Sequence, residues 1–307
     1  MMVAFGNPVF DEIRTPWVST RGRVLSGCAT NAALVYARLG GDVVCIGRAG
    51  ADRVAAYDAY MGRLGIDTRT VPCAESGGFG LDYDDRGRRE LTVLGRAEPI
   101  DTVCDAVATA DVVFIGPVLQ ETPFALIRHI RERTTAPIVL DPQGLLRRIG
   151  DDGKIEHFKP EGIEAICALC DIVKPNELET EILTGIDPRE DLAGAATVLK
   201  DWGIPTVAIT LAEEGSLILT DNQSYRITAL PTLAIDSTGA GDSYAGGLMF
   251  ARMAGYDWPT SGQWATAVAT AMISHCGPEF TLDAEEIRKR AATVRVNTSQ
   301  PLRVGSS

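Results

Sequence analysis

Three small residues and a carboxylate, Gly239-Ala240-Gly241-Asp242, stand at the start of a long apolar run in the segment IDSTGAGDSYAGGLMFARMAG (235–255). The run from Ser243 to Ala254 is apolar on nearly all sides, which predicts a buried helix. Backbone N–H groups without bulky side chains, at the positive end of a helix, form a site for an anion. Asp242 could act there as a base, or it could be only the N-cap of the helix. Both interpretations remain open from this segment alone.

Elements that could position this segment recur along the chain as short apolar runs followed by amphipathic helices. The apolar runs are ADVVFIGPV (110–118), APIVLDPQG (136–144), CDIVKPNE (170–177) and PTVAITLAEEG (205–215). The helical patterns span Phe124–Arg133, Asn176–Leu183, Leu192–Asp201 and residues 263–276. This alternation predicts an α/β fold, a three-layer sandwich with a mainly parallel central sheet. Ligands bind at the carboxyl ends of such strands, so polar residues at 117–120, 141–143, 174–179 and 210–214 are candidates for a site.

One section has a different period. In GGFGLDYDDRGRRELTVLGRAEPI (77–100), apolar and polar residues alternate on both sides of DDRG, which predicts a β-hairpin. With residues 11–24 it would form a small β layer, either a lid over the site or a plain surface hairpin. The expected organisation is an α/β domain of residues 1–10, 25–77 and 97–297. Residues 11–24 and 78–96 would form the β lid, and residues 298–307 a flexible tail.

Composition excludes several classes of protein. The 307 residues carry a net charge of −12, and the basic residues are interleaved with acids, which disfavours a nucleic-acid surface. No apolar run approaches the ~18 residues of a membrane span, and the first residues lack the pattern of a signal peptide. Seven cysteines, an odd number, indicate reduced thiols and a cytoplasmic protein. The pair Cys167 and Cys170 is interpreted as core packing, and the three histidines follow no metal-ligand spacing.

Four motifs, in the same order along the chain, resemble those of the ribokinase-like (PfkB) family of carbohydrate and nucleoside kinases. DSTGAGDSYAGG (236–247) resembles the family signature around its catalytic aspartate. SGCATNAALVYARLGGDVVCIGRAGAD (26–52) resembles its N-terminal motif. VKPNELE (173–179) resembles its N-x-x-E stretch, and TLAEEGS (210–216) its nucleotide loop. The resemblance implies a ribokinase-like fold with a β lid, and an enzyme that uses ATP and Mg²⁺.

Roles for individual residues follow from this resemblance. Asp242 would be the catalytic base, and the amides of Gly239, Ala240 and Gly241 the anion hole for the transferring phosphoryl group. Asn176 and Glu179 would position phosphates and a hydrated Mg²⁺. The residues expected to line the nucleotide are Thr210, Gly215, His275 and Gly277. The residues expected to hold substrate hydroxyls are Asp11, Gly27 and Asn31. Asp236 and Thr238 match positions whose backbone often helps to bind a monovalent cation such as K⁺.

The acceptor is expected to be a small sugar or cyclitol. Three stretches, at 94–100, 116–122 and 141–147, resemble the archaeal myo-inositol kinase branch, and within them Arg96, Gln120, Asp141 and Gln143 would contact a hydroxyl-rich ring. The segments GNPVFDEIRTP and CGPEF resemble nucleoside-kinase-like members, for which Phe79 or Tyr83 could provide a platform for a base. Ser26 and Ala212 replace glycines that are common in the family.

Two alternatives to a sugar or cyclitol kinase therefore remain. One is a nucleoside kinase, and the other is a catalytically silent sugar- or nucleotide-binding regulator on the same fold. An intact aspartate at 242 favours an enzyme, because a binding protein needs no base. The resemblance also implies a homodimer through the lid. The charge and the apolar runs predict neither nucleic acid nor a membrane as a partner.

Overall fold

The computed structural model describes residues 1–84 and 89–300. Its largest element is a ten-stranded sheet whose strands are mostly apolar and buried on both faces, as their sequence predicts. The strands are β1 (Met2–Phe5), β4 (Val43–Gly50), β5 (Asp67–Cys73), β8 (Val112–Ile115), β9 (Ile138–Leu140), β12 (Ile172–Val173), β13 (Thr206–Thr210), β14 (Ser216–Leu219), β15 (Ser224–Ile227) and β16 (Val296–Ser299). Their order in the sheet is β16-β15-β14-β13-β12-β9-β8-β1-β4-β5. The pairs from β13 to β5 are parallel, and those from β13 to β16 are antiparallel.

Helices cover both faces of this sheet. They are α1 (Cys28–Arg38), α2 (Ala51–Arg63), α3 (Phe124–Arg133), α4 (Ile163–Cys167), α5 (Glu177–Thr184), α6 (Leu192–Asp201), α7 (Ala240–Met253), α8 (Trp258–Met272) and α9 (Ala284–Ala291). One hydrophobic core joins the sheet to α1, α2, α7, α8 and α9, and a second core joins its other face to α3, α4, α5 and α6. The three-layer α/β prediction is confirmed.

A separate four-stranded sheet stands beside the central one, in the order β3-β2-β6-β7. Its strands are β2 (Val9–Arg14), β3 (Val24–Ser26), β6 (Gly78–Tyr83) and β7 (Arg89–Gly95). A short hairpin of β10 (Arg147–Ile149) and β11 (Ile155–His157) contacts β7. The predicted DDRG turn lies mostly outside the described residues.

Several predicted boundaries were correct and others were not. Helices α3 and α6 have the predicted bounds, whereas α7 begins three residues before the predicted Ser243, and α8 ends at Met272 rather than 276. The tail predicted from residue 298 was wrong at its start, because Thr298 pairs with Tyr225 and Ser299 with Ser224 in β16. This strand has polar residues and therefore no apolar alternation to reveal it.

Helix α7 packs close to α1. This packing positions the first turn of α7, which contains Gly241 and Asp242. A Cβ on Gly246 would lie 2.7 Å from the Ala32 carbonyl oxygen, so only glycine allows this approach.

In the described part of the chain, no helix combines the length and the apolar composition that crossing a membrane requires.

Candidate active site

A cavity opens where the carboxyl ends of the central strands meet the N-terminus of α7 and the small sheet. It is lined by Val9, Asp11, Ser26, Gly27, Cys28, Phe79, Leu81, Leu91, Val118, Asp141, Gln143, Arg147, Glu179, Ser237, Thr238, Gly239, Ala240, Gly241 and Asp242. Asp141 directly follows β9, and Lys174, which contacts it, directly follows the neighbouring strand β12. The cavity therefore occupies the edge of the sheet at which a parallel α/β fold binds ligands.

Asp242 is the third residue of α7, and the N-cap is Gly239. The interpretation of Asp242 as the N-cap was therefore wrong, because Gly239, with a φ of +75°, makes the turn instead. The Asp242 carboxylate is 8 % exposed and accepts two amide hydrogen bonds. Asn31 Nδ2 donates to Oδ2 at 2.9 Å, and Gln143 Nε2 donates to Oδ1 at 3.1 Å. These bonds fix the carboxylate at the cavity wall.

The three small residues before Asp242 lie at the cavity, but their amides differ. Ala240 N–H donates to the Ser237 carbonyl at 3.2 Å, so this amide is already engaged. Gly241 lies in the first turn of α7, where a backbone N–H has no acceptor one turn back. A Cβ on Gly241 would lie 3.2 Å from Lys174 Nζ, so a buried ammonium stands directly behind this turn.

Lys174 and Asp141 form an ion pair of 2.9 Å between Nζ and Oδ2, and each side chain is 2 % exposed. Burial alone would lower the pKa of Lys174, but the carboxylates of Asp141 and Glu179 outweigh it and raise the pKa above its ordinary value. Burial, followed by the Asp141 charge, raises the pKa of Glu179 above 4.5, against the lowering effect of Lys174. The charge of each of Lys174, Asp141 and Glu179 therefore influences the other two.

Asn176 and Glu179 form a capping box at the start of α5. Asn176 Oδ1 accepts from Glu179 N at 2.9 Å, and Glu179 Oε2 accepts from Asn176 N at 2.9 Å. Asn176 Nδ2 also donates to Glu179 Oε1 at 2.8 Å. The N-x-x-E spacing thus has a structural purpose in the helix itself. Glu179 nevertheless reaches the cavity wall, whereas Asn176 is not part of its lining.

Cys28, the first residue of α1, lies between two carboxylates. Its Sγ and one oxygen each of Asp141 and Asp242 all lie within 4.8 Å of one another. Burial, with the nearby Asp141 and Asp242 charges, raises the pKa of the Cys28 thiol well above 9.0. A neutral thiol at this position adds no further negative charge beside two carboxylates. Cys167 and Cys170 are free, buried core residues, as predicted.

The other wall of the cavity is formed by the small sheet. Its apolar residues are Val9, Phe79, Leu81 and Leu91, with Val118 from the loop after β8. Asp11 is 3 % exposed, lines the cavity, and accepts a hydrogen bond from Phe79 N at 2.8 Å through Oδ1. The Tyr83 hydroxyl shares a hydrogen bond of 2.8 Å with Thr238 Oγ1, which joins the small sheet to the loop before α7.

Three residues predicted to bind the acceptor are not among those that line the cavity: Gln120, Arg96, and Asn31, whose amide donates to Asp242. Gln120, whose φ is +60°, donates through Nε2 to the carbonyls of Leu145, Arg147 and Gly144 at 2.6, 2.9 and 3.3 Å. It ties two loops together and is not among the residues that line the cavity. Arg96 lines a smaller neighbouring cavity instead. For Gln120 the departure follows from its left-handed backbone, which a sequence does not show.

The residues predicted to line the nucleotide lie outside the cavity. They are Thr210, which ends β13, Gly215, whose Cβ would meet the Ile227 carbonyl at 2.0 Å, and His275 and Gly277, which follow α8. Gly215 thus serves a close approach to β15. Asp236 accepts from Thr238 N at 2.9 Å and is 4 % exposed. The predicted roles of these residues, in binding the nucleotide and a monovalent cation, stay predictions.

The sequence analysis assigned no role to two buried cations, Lys174 and Arg147. Lys174 falls within the polar stretch 174–179 singled out above, and a lysine directly after an apolar strand was the available signal. Arg147 is 6 % exposed and lines the cavity, and its Nη1 donates to the Val118 carbonyl at 3.3 Å. Nothing in its local sequence distinguishes it from an ordinary surface arginine.

Comparison with known proteins agrees with this geometry. The model of the pfkB family carbohydrate kinases matches residues 12–285. The chain belongs to the pfkB family. It is therefore a kinase that transfers a phosphoryl group to a hydroxyl group of a sugar or nucleoside.

The relatives of this pfkB kinase differ in what they act on. A nucleoside kinase of Methanothermobacter thermautotrophicus is 28 % identical over 313 residues, which cover 94 % of each chain. A pyrophosphate-dependent kinase of the ribokinase family, in complex with a pyrophosphate analogue and myo-inositol, superposes with a TM-score of 0.81. It is 20 % identical, over 94 % of this chain and 99 % of its own. Arabidopsis thaliana ribokinase, in complex with ribose and ATP, gives 0.75 and 20 %, over 94 % and 98 %.

Proposed function

We propose that this pfkB kinase phosphorylates a hydroxyl group of a small sugar or cyclitol, with Asp242 as the base. The observation that carries the proposal is the position of Asp242. Two amide donors hold its carboxylate in the first turn of α7, one residue after Gly241, and Asp11 lines the same cavity. A base, an anion site and a hydroxyl-binding carboxylate are the parts that phosphoryl transfer to an alcohol requires.

The reaction would use these residues as follows. The acceptor hydroxyl loses its proton to an Asp242 oxygen, its oxygen forms a bond to the phosphorus, and the bond between phosphorus and the leaving phosphate of the donor breaks. Such a transition state is loose, so positioning and electrostatics supply most of the rate. The Gly241 N–H, at the positive end of α7, would face the equatorial oxygens.

Glu179 fits the role of a residue near a hydrated Mg²⁺. Its carboxylate is 4 % exposed and reaches the cavity, and carboxylate oxygens suit a hard cation that keeps most of its waters. When bound, Mg²⁺ would neutralise charge on the donor phosphates. The capping box with Asn176 would hold Glu179 in one orientation for this purpose.

The walls of the cavity favour a ring with one apolar face and a hydroxylated edge. Asp141 and Gln143, which follow β9, line the cavity on one side, and the small sheet lines it on the other with the Asp11 carboxylate and apolar side chains. A cyclitol or sugar ring presents C–H groups on its face and hydroxyls at its edge. The fold shared with a kinase that binds myo-inositol is consistent with this class of acceptor.

A nucleoside is the second candidate acceptor, and Phe79 is the observation that favours it. This side chain is 4 % exposed and lines the cavity, where it could stack on a base. One relative that is matched over 94 % of its length is a nucleoside kinase. For the donor we propose ATP, as bound by the ribokinase neighbour, with pyrophosphate as the alternative that the inositol-binding neighbour uses.

The test is a matrix of acceptors and donors. Product formation is measured with Mg²⁺ and either ATP or pyrophosphate, on myo-inositol, ribose, fructose, adenosine and cytidine, with and without K⁺. We expect strong turnover on one ring polyol with ATP. Turnover on nucleosides alone would replace the polyol proposal. Tight binding of a ligand without turnover by any donor would favour a non-catalytic regulator.

A further inference from the structure

A buried ion pair joins Asp141 of the cavity wall to Lys174, which takes no direct part in the steps above. Lys174 and Asp141, each 2 % exposed and 2.9 Å apart, are more deeply buried than Asp242. Such a pair usually contributes little net stability, because removing two charges from water costs about as much as their attraction returns. Its presence at this position therefore calls for a local electrostatic reason.

The surroundings of Lys174 supply that reason. Four carboxylates, of Asp11, Asp141, Glu179 and Asp242, line the cavity into which a phosphate donor must enter. Each would repel the charged phosphoryl group, and in a buried site this repulsion is strong. Lys174 interacts with Asp141 and Glu179, and its Nζ is 3.2 Å from the position of a Cβ on Gly241. Its charge thus stands behind the turn whose amide would face the phosphoryl oxygens.

We propose that Lys174 is a positioning residue of the phosphoryl site: its buried ammonium offsets the Asp141 carboxylate and adds a fixed positive charge behind Gly241. It acts through these groups, because it is not part of the cavity lining. This inference rests on the proposed kinase function. It goes further, because it names Lys174, which directly follows β12, as the residue that offsets the negative charge of the site.

Arg147, the other buried cation, does not fill this role. It lines the cavity, and its guanidinium donates to the Val118 carbonyl, on the side of the apolar wall. The residue whose Nζ lies against the Gly241 turn is Lys174. Arg147 is therefore not the cation that stands behind the Gly241 turn.

The test separates the charge of Lys174 from its role as the partner of Asp141. Lys174→Met alone would leave a buried, unpaired carboxylate, so the informative variant is Lys174→Met combined with Asp141→Asn. The reference is Asp141→Asn alone, in the same full-length chain. Thermal unfolding checks that both fold. Two quantities are then compared: kcat and KM of the kinase reaction, and the affinity for inorganic sulfate, a tetrahedral dianion that needs no turnover.

We expect the double variant to lose about 10²-fold in kcat relative to Asp141→Asn, with less than about threefold change in the acceptor KM. This is the lower end of the loss caused by removing one oxyanion-hole donor. Sulfate affinity should fall at least about tenfold. A folded double variant whose kcat and sulfate affinity equal those of Asp141→Asn would overturn the inference and leave Lys174 as a counter-ion only. If no variant, nor the parent, turns over any acceptor, the proposed function fails, and sulfate affinity alone decides the role of Lys174.

Discussion

Replacing Asp242 by asparagine removes the proposed base with almost no change in shape. The carboxylate accepts hydrogen bonds from Asn31 at 2.9 Å and from Gln143 at 3.1 Å. In Asp242→Asn the new NH₂ group faces one of these two donors. That partner amide must flip and present its oxygen, or one hydrogen bond is lost, which costs about 0.5–1.5 kcal/mol. We therefore expect the variant to fold.

The expected kinetic effect is much larger than the structural one. A general base typically contributes ~10²–10⁴-fold to the rate. At about 1.36 kcal/mol for each factor of ten, this equals about 2.7–5.4 kcal/mol of transition-state stabilisation. Because the loss in unfolding free energy should stay below about 1.5 kcal/mol, the two effects can be distinguished. We expect kcat to fall by at least 10²-fold and the acceptor Kd to change by less than about threefold.

The assay measures kcat with the acceptor that the matrix of acceptors and donors selects, acceptor Kd by calorimetry, and unfolding free energy in urea. Gln143→Met is the matched control, because it removes one of the two donors and keeps the carboxylate. We expect it to lower kcat by less than about tenfold. Asp242→Asn with more than a hundredth of the parental kcat would refute the assignment of the base. A loss in Gln143→Met as large as that in Asp242→Asn would show that orientation, rather than proton transfer, is what Asp242 provides.

Three further predictions concern the groups around the site. Gln120→Ala should lower the free energy of unfolding in urea by about 1–3 kcal/mol, because three buried-loop carbonyls lose a donor; an increased acceptor KM with unchanged stability would instead return Gln120 to the acceptor site. Tyr83→Phe removes the hydrogen bond to Thr238, so it should accelerate amide exchange in β6 and raise the acceptor KM a few-fold. Unchanged exchange would contradict the prediction that this bond holds the small sheet to the loop before α7. Burial raises the pKa of Glu121, despite hydrogen bonds from backbone N–H groups, so the folded state favours the protonated carboxyl group. The stability that Glu121 contributes is therefore present below pH 4.5, and it is lost as the pH rises through the higher pKa of the folded state. Unfolding free energies of the parent and Glu121→Gln should therefore diverge in favour of the variant as pH rises, and parallel curves would contradict the shift.

The sequence predicts the architecture well, because the period of apolar residues determines which face of each element is buried. Helices Phe124–Arg133 and Leu192–Asp201 were predicted with their observed bounds for this reason. The polar strand β16 was missed because it has no apolar face to detect. The period of apolar residues indicates which side chains are buried. An edge strand that is held mainly by backbone pairing buries few side chains, so its sequence shows little periodicity.

For the site, the sequence indicates which residues end strands but not which strands are neighbours. Asp141 and Lys174 lie 33 positions apart, and their ion pair exists because β9 pairs with β12. Gln120 and Asp141 follow strands in a similar way, yet the left-handed backbone of Gln120 turns its amide towards other loops. Side-chain direction at a strand end depends on the local turn, which residue types specify only where glycine or proline is required.

The acceptor side and the base are joined by a short run of contacts. Asp11 accepts a hydrogen bond from the backbone of Phe79 in the small sheet, and it pairs with Val24 of β3 in the same sheet. Strand β3 leads through Gly27 directly into α1, on which Asn31 donates to Asp242. An acceptor that binds Asp11 therefore contacts the segment that also orients the base. Because this segment is only 21 residues from Asp11 to Asn31 and is paired or helical at both ends, we infer that the position of the small sheet and the orientation of the base are set together.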